Sequence, residues 1–193
     1  MFDQLQQLDT NLFLFLNGLH SPVMDKPMWY LSQHLPWIPL YILVIWFAIR
    51  KFKMNAIVII ALLFITWGLC DLFSDTIKHA VQRYRPTHNT IIGDLVHTVN
   101  GYRGGKYGFV SSHSANSFGV ALMIVLLFKN KEWTRFLFIW PVIVAYTRIY
   151  LGVHYPSDIF CGALTGFATA FVIYLLYVKF LQKYNLNNLH FKE

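Results

Sequence analysis

Long apolar runs separated by short polar connections dominate this chain. A helix needs about 20 apolar residues to cross the hydrocarbon core of a bilayer, and five segments approach that length. These segments are Met28–Ile49, Asn55–Asp75, Ser114–Phe128, Trp133–Tyr150 and Ile159–Phe180. The pattern therefore predicts an all-α fold, a polytopic membrane helical bundle, and shows no internal repeat.

A weaker apolar segment precedes these five. Leu8–Leu19 is too short to span a bilayer and ends at the polar sequence His20-Ser21-Pro22. We expect an N-terminal interfacial or re-entrant helix here, which makes five transmembrane helices, or six if this helix inserts. A chain of 193 residues is short enough for one domain, so residues 1–193 are expected to form a single membrane-embedded unit.

The composition agrees with a lipid environment. Hydrophobic residues make up 56% of the chain and charged residues only 13%, whereas a soluble domain carries about 25% charged residues. The formal net charge is +7, but the basic side chains fall between apolar runs and form no basic stripe. A membrane surface or an anionic substrate explains this charge better than nucleic acid, so no nucleic-acid partner is expected.

The basic residues also predict how the chain is oriented in the membrane. The loops Arg50–Lys53 and Lys129–Arg135 and the tail after Phe180 belong to one face, which carries nine lysines and arginines. The opposite face carries seven, of which three are candidate site residues. The positive-inside rule therefore places the first face in the cytoplasm and the second face on the extracytoplasmic side.

Three polar clusters interrupt the apolar pattern, and the alternation of the spans places all three on the extracytoplasmic face. They are Lys78–Pro86 after the second span, Val110–His113 before the third, and Thr147–Asp158 between the fourth and fifth. Ionisable groups at membrane depth are costly, so a functional site is the expected explanation.

The cations in these clusters suit a phosphate group. Lys78 and Arg85 are seven residues apart, which places them on one helix face if the helix continues for two turns. Arg148 adds a second guanidinium, and guanidinium groups bind phosphate oxygens in pairs. Ser111 and Ser112 precede a helix, whose free N–H groups and positive dipole end also favour an anion.

The remaining residues suit nucleophilic and acid–base chemistry. His154 and Asp158 are four residues apart, and a carboxylate that binds one imidazole nitrogen leaves the other as a nucleophile. His113 is then available to protonate a leaving oxygen. Taken singly, each residue also has an ordinary explanation as an interfacial anchor, a helix cap or a hydrogen-bonded histidine. Their position on one face favours a site.

The three clusters resemble the signature of the type 2 phosphatidic acid phosphatase (PAP2) superfamily, which also includes vanadium haloperoxidases. That signature reads K-x6-R-P, then P-S-G-H, then S-R-x5-H-x3-D. The matching residues in this chain are Lys78, Arg85 and Pro86, then Ser111 and His113, then Arg148, His154 and Asp158. The chain departs from the signature at Val110 (proline), Ser112 (glycine) and Thr147 (serine).

The resemblance implies a role for each matching residue. His154 would attack phosphorus, Asp158 would orient it, and His113 would protonate the departing lipid oxygen and then assist a water molecule. The phosphoryl oxygens would be held by Lys78, Arg85, Ser111, Arg148 and the backbone N–H of Ser112. No metal and no cofactor are implied, and the spacing of His79, His88 and His97 fits no standard metal site.

The resemblance also implies dephosphorylation of a lipid phosphate or pyrophosphate in the bacterial inner membrane, with membrane lipids as the other partners. The candidate substrates are undecaprenyl pyrophosphate, phosphatidate, phosphatidylglycerol phosphate and a lipid A phosphate, of which the first is favoured as a general envelope need. Two alternatives stay open. One is a lipid phosphotransferase that uses the same site, and the other is a non-catalytic anionic-lipid binder or transporter.

Two further features adjoin the polar clusters. Asp71 and Asp75 precede Lys78 by one or two helical turns and either orient the basic cluster or have no specific role. The glycine-containing loop Tyr102–Tyr107 is either a solvated loop or a flap whose Arg103 and Lys106 reach a second phosphate.

Overall fold

The computed structural model describes residues 2–129 and 135–184. Within these ranges the regular structure is helical, and the one β-type pairing is an isolated bridge between Tyr84 and Tyr107. The all-α prediction is confirmed. The helices are α1 (Phe2–Gly18), α2 (Pro22–Leu31), α3 (Ile38–Phe52), α4 (Ala56–Val81), α5 (Ser112–Phe128), α6 (Ile139–Tyr150) and α7 (Pro156–Lys183).

Two stretches of the described chain are long and apolar enough to cross a membrane. The first, Leu35–Val81, contains α3 and α4 and has a mean hydropathy of 2.4, and the second is α7, with a mean hydropathy of 2.1. The helices Ser112–Phe128 and Phe136–Tyr150 are apolar but shorter. The count of five or six spans stays a prediction. Part of the predicted loop Lys129–Arg135, the predicted start of a span at Trp133, and the tail beyond residue 184 lie outside the described residues.

The first predicted span, Met28–Ile49, is wrong at its start. There α2 ends at Leu31, a short 3₁₀ turn covers Leu35–Trp37, and α3 begins at Ile38. Prolines at the start of the turn and of α3 cannot donate the backbone hydrogen bond that a continuous helix requires. The hydropathy pattern predicted one continuous span here because the turn between the two helices contains apolar residues.

The expectation that one continuous helix aligns Lys78 with Arg85 is also wrong. Helix α4 extends beyond the predicted segment but ends at Val81, because Gln82 adopts a left-handed conformation with φ of 52°. Arg85 precedes Pro86, and a residue before proline is disfavoured in the helical region. Arg85 therefore lies on the connection after the helix, with φ of −66° and ψ of 157°.

Helices α5 and α7 pack closely through small residues. A Cβ atom added to Gly166 of α7 would lie 2.2 Å from the carbonyl oxygen of Ala115, and one added to Gly119 of α5 would lie 3.0 Å from the carbonyl oxygen of Gly166. Small residues at such positions let the backbones of membrane helices approach each other. This pairing brings the N-terminal ends of α5 and α7 together.

Helix α1 begins earlier than the predicted segment Leu8–Leu19 and lies against α6 and α7. Phe13 is fully buried. The amide of the buried Asn17 donates to the carbonyl oxygens of Ile149 and Tyr150, both at 3.0 Å. The outer face of α1 is an exposed apolar stripe with helical spacing, formed by Leu5, Leu8, Leu12 and Phe15, and the exposed Leu19 follows directly after the helix.

Candidate active site

Hydrogen bonds join the three polar clusters at the ends of α4, α5 and α7. The Lys78 ammonium group donates to the Ser112 hydroxyl, which connects the first cluster to the second. The Ser111 N–H donates to the Asp158 carbonyl oxygen at 3.0 Å, which connects the second to the third. Arg83 donates to the Asp158 carboxylate at 2.7 Å and connects the first to the third. The predicted convergence of the clusters is therefore observed.

His154 and Asp158 form a buried pair beside the first turn of α7. The His154 side chain is 1% exposed and that of Asp158 is 0% exposed, with 3.4 Å between Nδ1 and Oδ2. The same Oδ2 accepts the Tyr155 N–H at 3.0 Å. Because Asp158 is the third residue of α7, its carboxylate reaches back to the helix start in a capping box. Helix capping thereby places the carboxylate next to the imidazole and leaves Nε2 for a ligand.

Gly108 lies against this pair and was missed by the sequence analysis. A Cβ atom added there would lie 3.1 Å from Asp158 Oδ2 and 3.5 Å from His154 Nδ1. The Gly108 N–H donates to the carbonyl oxygen of Arg83 at 2.9 Å. A side chain here would have to displace its neighbours by a few tenths of an ångström, so glycine suits this close approach of the backbone to the pair. Its place in a glycine-rich loop was visible in the sequence, but its neighbours were not.

Two guanidinium groups are buried without a full set of partners. Arg85 Nε donates to the Tyr107 carbonyl oxygen at 3.0 Å, and Arg148 Nη2 is 3.4 Å from the Tyr102 hydroxyl. Among the residues that the structure describes, Arg85 Nη1 and Arg148 Nε are buried and have no hydrogen-bond partner. A buried donor without a partner costs about 1–3 kcal/mol. These donors are suited to the oxygens of an anion.

The two predicted phosphate-binding serines lie at the N-terminus of α5. Ser111 is fully buried, and its hydroxyl accepts the Ser114 N–H at 3.4 Å as the cap of the helix. Ser112, which replaces the glycine of the family signature, accepts a hydrogen bond from Lys78. The extra hydroxyl therefore contacts a predicted phosphate-binding cation.

His113 faces an apolar cavity of about 640 Å³ that opens among α3, α4, α5 and α6. The ring of His34 stacks on the His113 ring, with 6.1 Å between their centroids. Most of the cavity wall is apolar, and its Trp, Tyr and Phe members are Trp37, Tyr41, Phe64, Trp67 and Trp140. The predicted proton donor thus lies beside a space that suits hydrocarbon.

A second, more polar cavity of about 390 Å³ adjoins Lys78 and Arg85. His79, Lys106 and Asp75 also line it. Although helix α4 ends between Lys78 and Arg85, the two cations therefore face the same space.

The surroundings of His154 favour its neutral form. Burial is the largest effect, and the nearby charges of Arg85, Arg148 and Lys78 add to it, so that the pKa of the His154 imidazole lies well below its ordinary value. A neutral imidazole retains the lone pair that a nucleophile needs.

Arg83 and Asp9 also belong to this site, although the sequence analysis gave neither a role. Arg83 Nη1 lies 2.7 Å from Asp158 Oδ1, and Nη2 lies 2.7 Å from Asp9 Oδ2. Arg83 lies inside the first polar cluster, so its position was a usable signal. Asp9 lies in the N-terminal helix, far along the chain, and no local pattern points to it.

The other residues singled out in the sequence, Asp71, Asp75 and Arg103, bond partners outside the proposed phosphate-binding set. Asp75 pairs with His79 at 3.4 Å, and Asp71 accepts from Asn116 at 3.4 Å. Arg103 donates to the Thr87 carbonyl oxygen and so holds its own loop in place. The second-phosphate role of Arg103 and Lys106 stays a prediction.

The histidines considered for a metal set are not brought together. His88 contacts Thr87 at 3.2 Å, and His97 pairs with Asp25 at 2.9 Å. Across residues 2–129 and 135–184 the structure shows no group of three or more His, Cys, Asp or Glu side chains arranged for a metal ion.

Comparison with known proteins gives matches over most of the chain. A profile of the PAP2 superfamily matches residues 59–182. A lipid A 4′-phosphatase of Bacteroides thetaiotaomicron is 37% identical over 182 residues, which cover 91% of this chain and 80% of the relative.

Solved structures show the same fold. The structure of Aquifex aeolicus LpxE matches with a TM-score of 0.67 and 22% identity, over 86% of this chain and 94% of that one. The first transmembrane PAP2 type phosphatidylglycerolphosphate phosphatase from Bacillus subtilis matches with a TM-score of 0.66 and 19% identity, over 91% and 87% of the respective chains. At these identities the likeness concerns the fold alone.

Proposed function

The chain belongs to the PAP2 superfamily, and we propose that this membrane lipid phosphatase removes a phosphate from a lipid A-type substrate through a phosphohistidine on His154. The observation that carries the mechanism is the buried His154–Asp158 pair beside guanidinium donors that lack partners. A nucleophile next to anion-binding groups whose hydrogen-bond donors have no partner is the arrangement that phosphoryl transfer requires.

The reaction proceeds in two displacements. In the first, His154 Nε2 forms a bond to phosphorus while the bond from phosphorus to the lipid oxygen breaks, and His113 gives its proton to that oxygen. In the second, His113 takes a proton from water, the water oxygen attacks phosphorus, and the phosphorus–nitrogen bond breaks to release inorganic phosphate. Asp158 holds the Nδ1 proton of His154 in both steps.

Electrostatic stabilisation accounts for much of the proposed acceleration. Hydrolysis of phosphate monoesters is among the slowest uncatalysed reactions, so positive charge must be fixed before the reaction begins. Arg85 and Arg148 supply buried guanidinium donors, and Lys78 supplies an ammonium group. The N-terminus of α5, with Ser111 and Ser112, contributes the positive end of a helix dipole.

The position of His113 supports a proposal for where the lipid binds. A proton donor must lie beside the leaving oxygen, and His113 lines the apolar cavity. The lipid part of the substrate therefore occupies that cavity, while the phosphate reaches the cations. Side entry from the bilayer follows, because the cavity opens among helices with exposed apolar faces.

Sequence similarity favours lipid A 4′-phosphate among the candidate substrates, since the relative at 37% identity carries that activity in its name. Undecaprenyl pyrophosphate, which a general need of the cell envelope favours, is the second candidate. The proposed setting is the bacterial inner membrane, with α3 to α7 as the five spans, α1 at the interface and the site on the extracytoplasmic side.

The proposal is tested by phosphate release from purified protein in detergent, with lipid A, undecaprenyl pyrophosphate, phosphatidate and phosphatidylglycerol phosphate as substrates. We expect His154→Gln to lower turnover by at least about 10³-fold, because it removes the nucleophile. His113→Gln should lower turnover by about 10²–10⁴-fold, because it removes acid–base catalysis. The matched control is His20→Gln, on the exposed connection between α1 and α2, which should keep wild-type activity.

The same assay separates the alternatives. Wild-type turnover in both site variants would contradict the enzymatic proposal and support a lipid binder or transporter. Transfer of labelled phosphate to an acceptor lipid, without free phosphate, would indicate a phosphotransferase. Activity is expected to survive EDTA, and restoration of lost activity by a divalent ion would contradict the metal-independent mechanism.

A further inference from the structure

Arg83 lies between two carboxylates that are far apart in the sequence. Nη1 donates to Asp158 Oδ1 at 2.7 Å, and Nη2 donates to Asp9 Oδ2 at 2.7 Å. The Arg83 guanidinium also lies over the Tyr155 ring, 4.0 Å from its centroid. Side-chain exposure is 22% for Arg83, 12% for Asp9 and 0% for Asp158. These contacts fix the guanidinium in one orientation.

Asp9 also caps the helix that carries Asp158. Asp9 Oδ1 accepts the Ser157 N–H at 2.9 Å, and Oδ2 accepts the Ser157 hydroxyl at 2.5 Å. Arg83 Nη1 donates to the same hydroxyl at 2.6 Å. A carboxylate at a helix N-terminus satisfies a free N–H and interacts favourably with the helix dipole. Helix α1 therefore holds the first turn of α7 through a side chain.

The charges explain why a second carboxylate is present. Arg83 alone beside Asp158 would cancel its negative charge and weaken its attraction for the Nδ1 proton of His154. With Asp9 included, one cation stands between two anions, and the three groups together carry one negative charge. That is the charge Asp158 would carry without Arg83. Asp9 thus restores the negative electrostatic potential at His154, while Arg83 keeps the Asp158 carboxylate hydrogen-bonded.

Arg83 stays positively charged in this environment. Burial opposes that charge, but the carboxylates of Asp158 and Asp9 outweigh it and hold the pKa of the guanidinium above its ordinary value. The other charged or titratable groups that interact with Asp158 are Lys78, Arg85, Tyr155 and Cys161, together with His154 at 3.4 Å. None of these five hydrogen-bonds both Asp9 and Asp158, so Arg83 is the connection between the two carboxylates in the described chain.

We propose that Asp9 and Arg83 are positioning residues of the reaction, which set the orientation and effective charge of Asp158 and make helix α1 part of the active site. The inference rests on the proposed function in requiring His154 as the nucleophile. Neither residue contacts phosphate in this scheme, and both act through Asp158 on the basicity of His154.

Asp9→Asn provides the main test, because asparagine keeps the shape of the side chain and removes its charge. We expect kcat to fall about 10-fold or more with KM changed less than about 3-fold, since the substrate-binding cations are untouched. The uncompensated charge of Arg83 should disfavour protonation of His154, so the acid limb of kcat/KM should move to lower pH. Asp9→Glu restores the charge and should recover part of kcat.

Two controls separate positioning from a purely structural role. Asp3→Asn removes a charge from the exposed side of α1 and should leave kcat and the pH limb unchanged. The double variant Asp9→Asn with Arg83→Gln returns the group to one negative charge. The fold-decrease of kcat in the double variant should therefore be smaller than the product of the fold-decreases in the two single variants. Thermal unfolding in detergent reports any loss of folded protein.

The inference is overturned if folded Asp9→Asn keeps wild-type kcat and pH limb, or if the double variant shows simple additivity. It is also overturned if kcat falls without any displacement of the pH limb, because a structural cap alone would give that result. His154→Gln with normal phosphate release would instead refute the proposed function, whatever Asp9→Asn does.

Discussion

At the scale of single residues, the site combines a neutral imidazole with fixed positive charge. His154 is buried beside cations that disfavour protonation of its imidazole. The Asp158 carboxylate lies beside Nδ1 and leaves Nε2 available. In the proposed mechanism this arrangement keeps the nucleophile uncharged while it attracts the phosphate. The same cations would thus serve both substrate binding and nucleophile activation.

This arrangement predicts the pH dependence. Falling pH protonates the imidazole, and because its pKa lies below the ordinary value of 6.5, the acid limb of kcat/KM should lie below pH 6.5. Arg85→Gln removes one of the charges that lower this pKa, so its limb should move to higher pH. The substrate phosphate ionises near pH 6 in both cases, so the displacement between the two profiles reports the enzyme. Identical limbs would contradict this prediction.

At the scale of elements, the spacing of α5 and α7 determines whether the site forms. Ser111 at the start of α5 donates its N–H to the Asp158 carbonyl oxygen, and Gly162 of α7 lies so close that a Cβ atom there would be 2.6 Å from the Ser111 carbonyl oxygen. Small residues along these two helices therefore maintain the distance between Ser111 and the His154–Asp158 pair.

Gly166→Ala tests this packing. The added Cβ would lie 2.2 Å from the Ala115 carbonyl oxygen, and such overpacking costs about 1–3 kcal/mol. We expect a lower Tm in detergent and reduced phosphatase activity. Gly68→Ala on α4 is the control, since nothing lies within 4 Å of its added Cβ and alanine favours helix by about 1 kcal/mol. A Tm at or above wild type for Gly166→Ala would refute the prediction.

At the scale of the whole molecule, the candidate site residues line two cavities, one apolar and one more polar. His113 belongs to the first and Lys78 and Arg85 to the second. A lipid phosphate has the same division between its two ends. In the proposed function the phosphate is therefore cleaved at the membrane surface while the hydrocarbon of the substrate lies among the helices.

Cysteine labelling tests the proposed orientation. Ile91, between α4 and α5, is 87% exposed, and Met54, between α3 and α4, is 88% exposed. In intact cells a membrane-impermeant maleimide should label Ile91→Cys, whereas Met54→Cys should require permeabilisation. The unaltered chain, with Cys70 and Cys161, measures the background. The reverse pattern would place the site in the cytoplasm.

The sequence by itself determined the helical class, the face on which the polar clusters lie and the identity of the candidate catalytic residues. These depend on local pattern, such as hydropathy over about 20 residues or the four-residue spacing of His154 and Asp158. Hydropathy did not reveal the break before α3, because the turn is itself apolar.

Only the tertiary structure decided which distant groups support that site. Asp9 meets Ser157 across 148 residues, and Gly108 passes beside the nucleophile pair. Such contacts follow from how the helices pack, and a periodic pattern carries no information about them. The sequence therefore identified the residues that are proposed to bind the phosphate, and the fold identified those that hold Asp158.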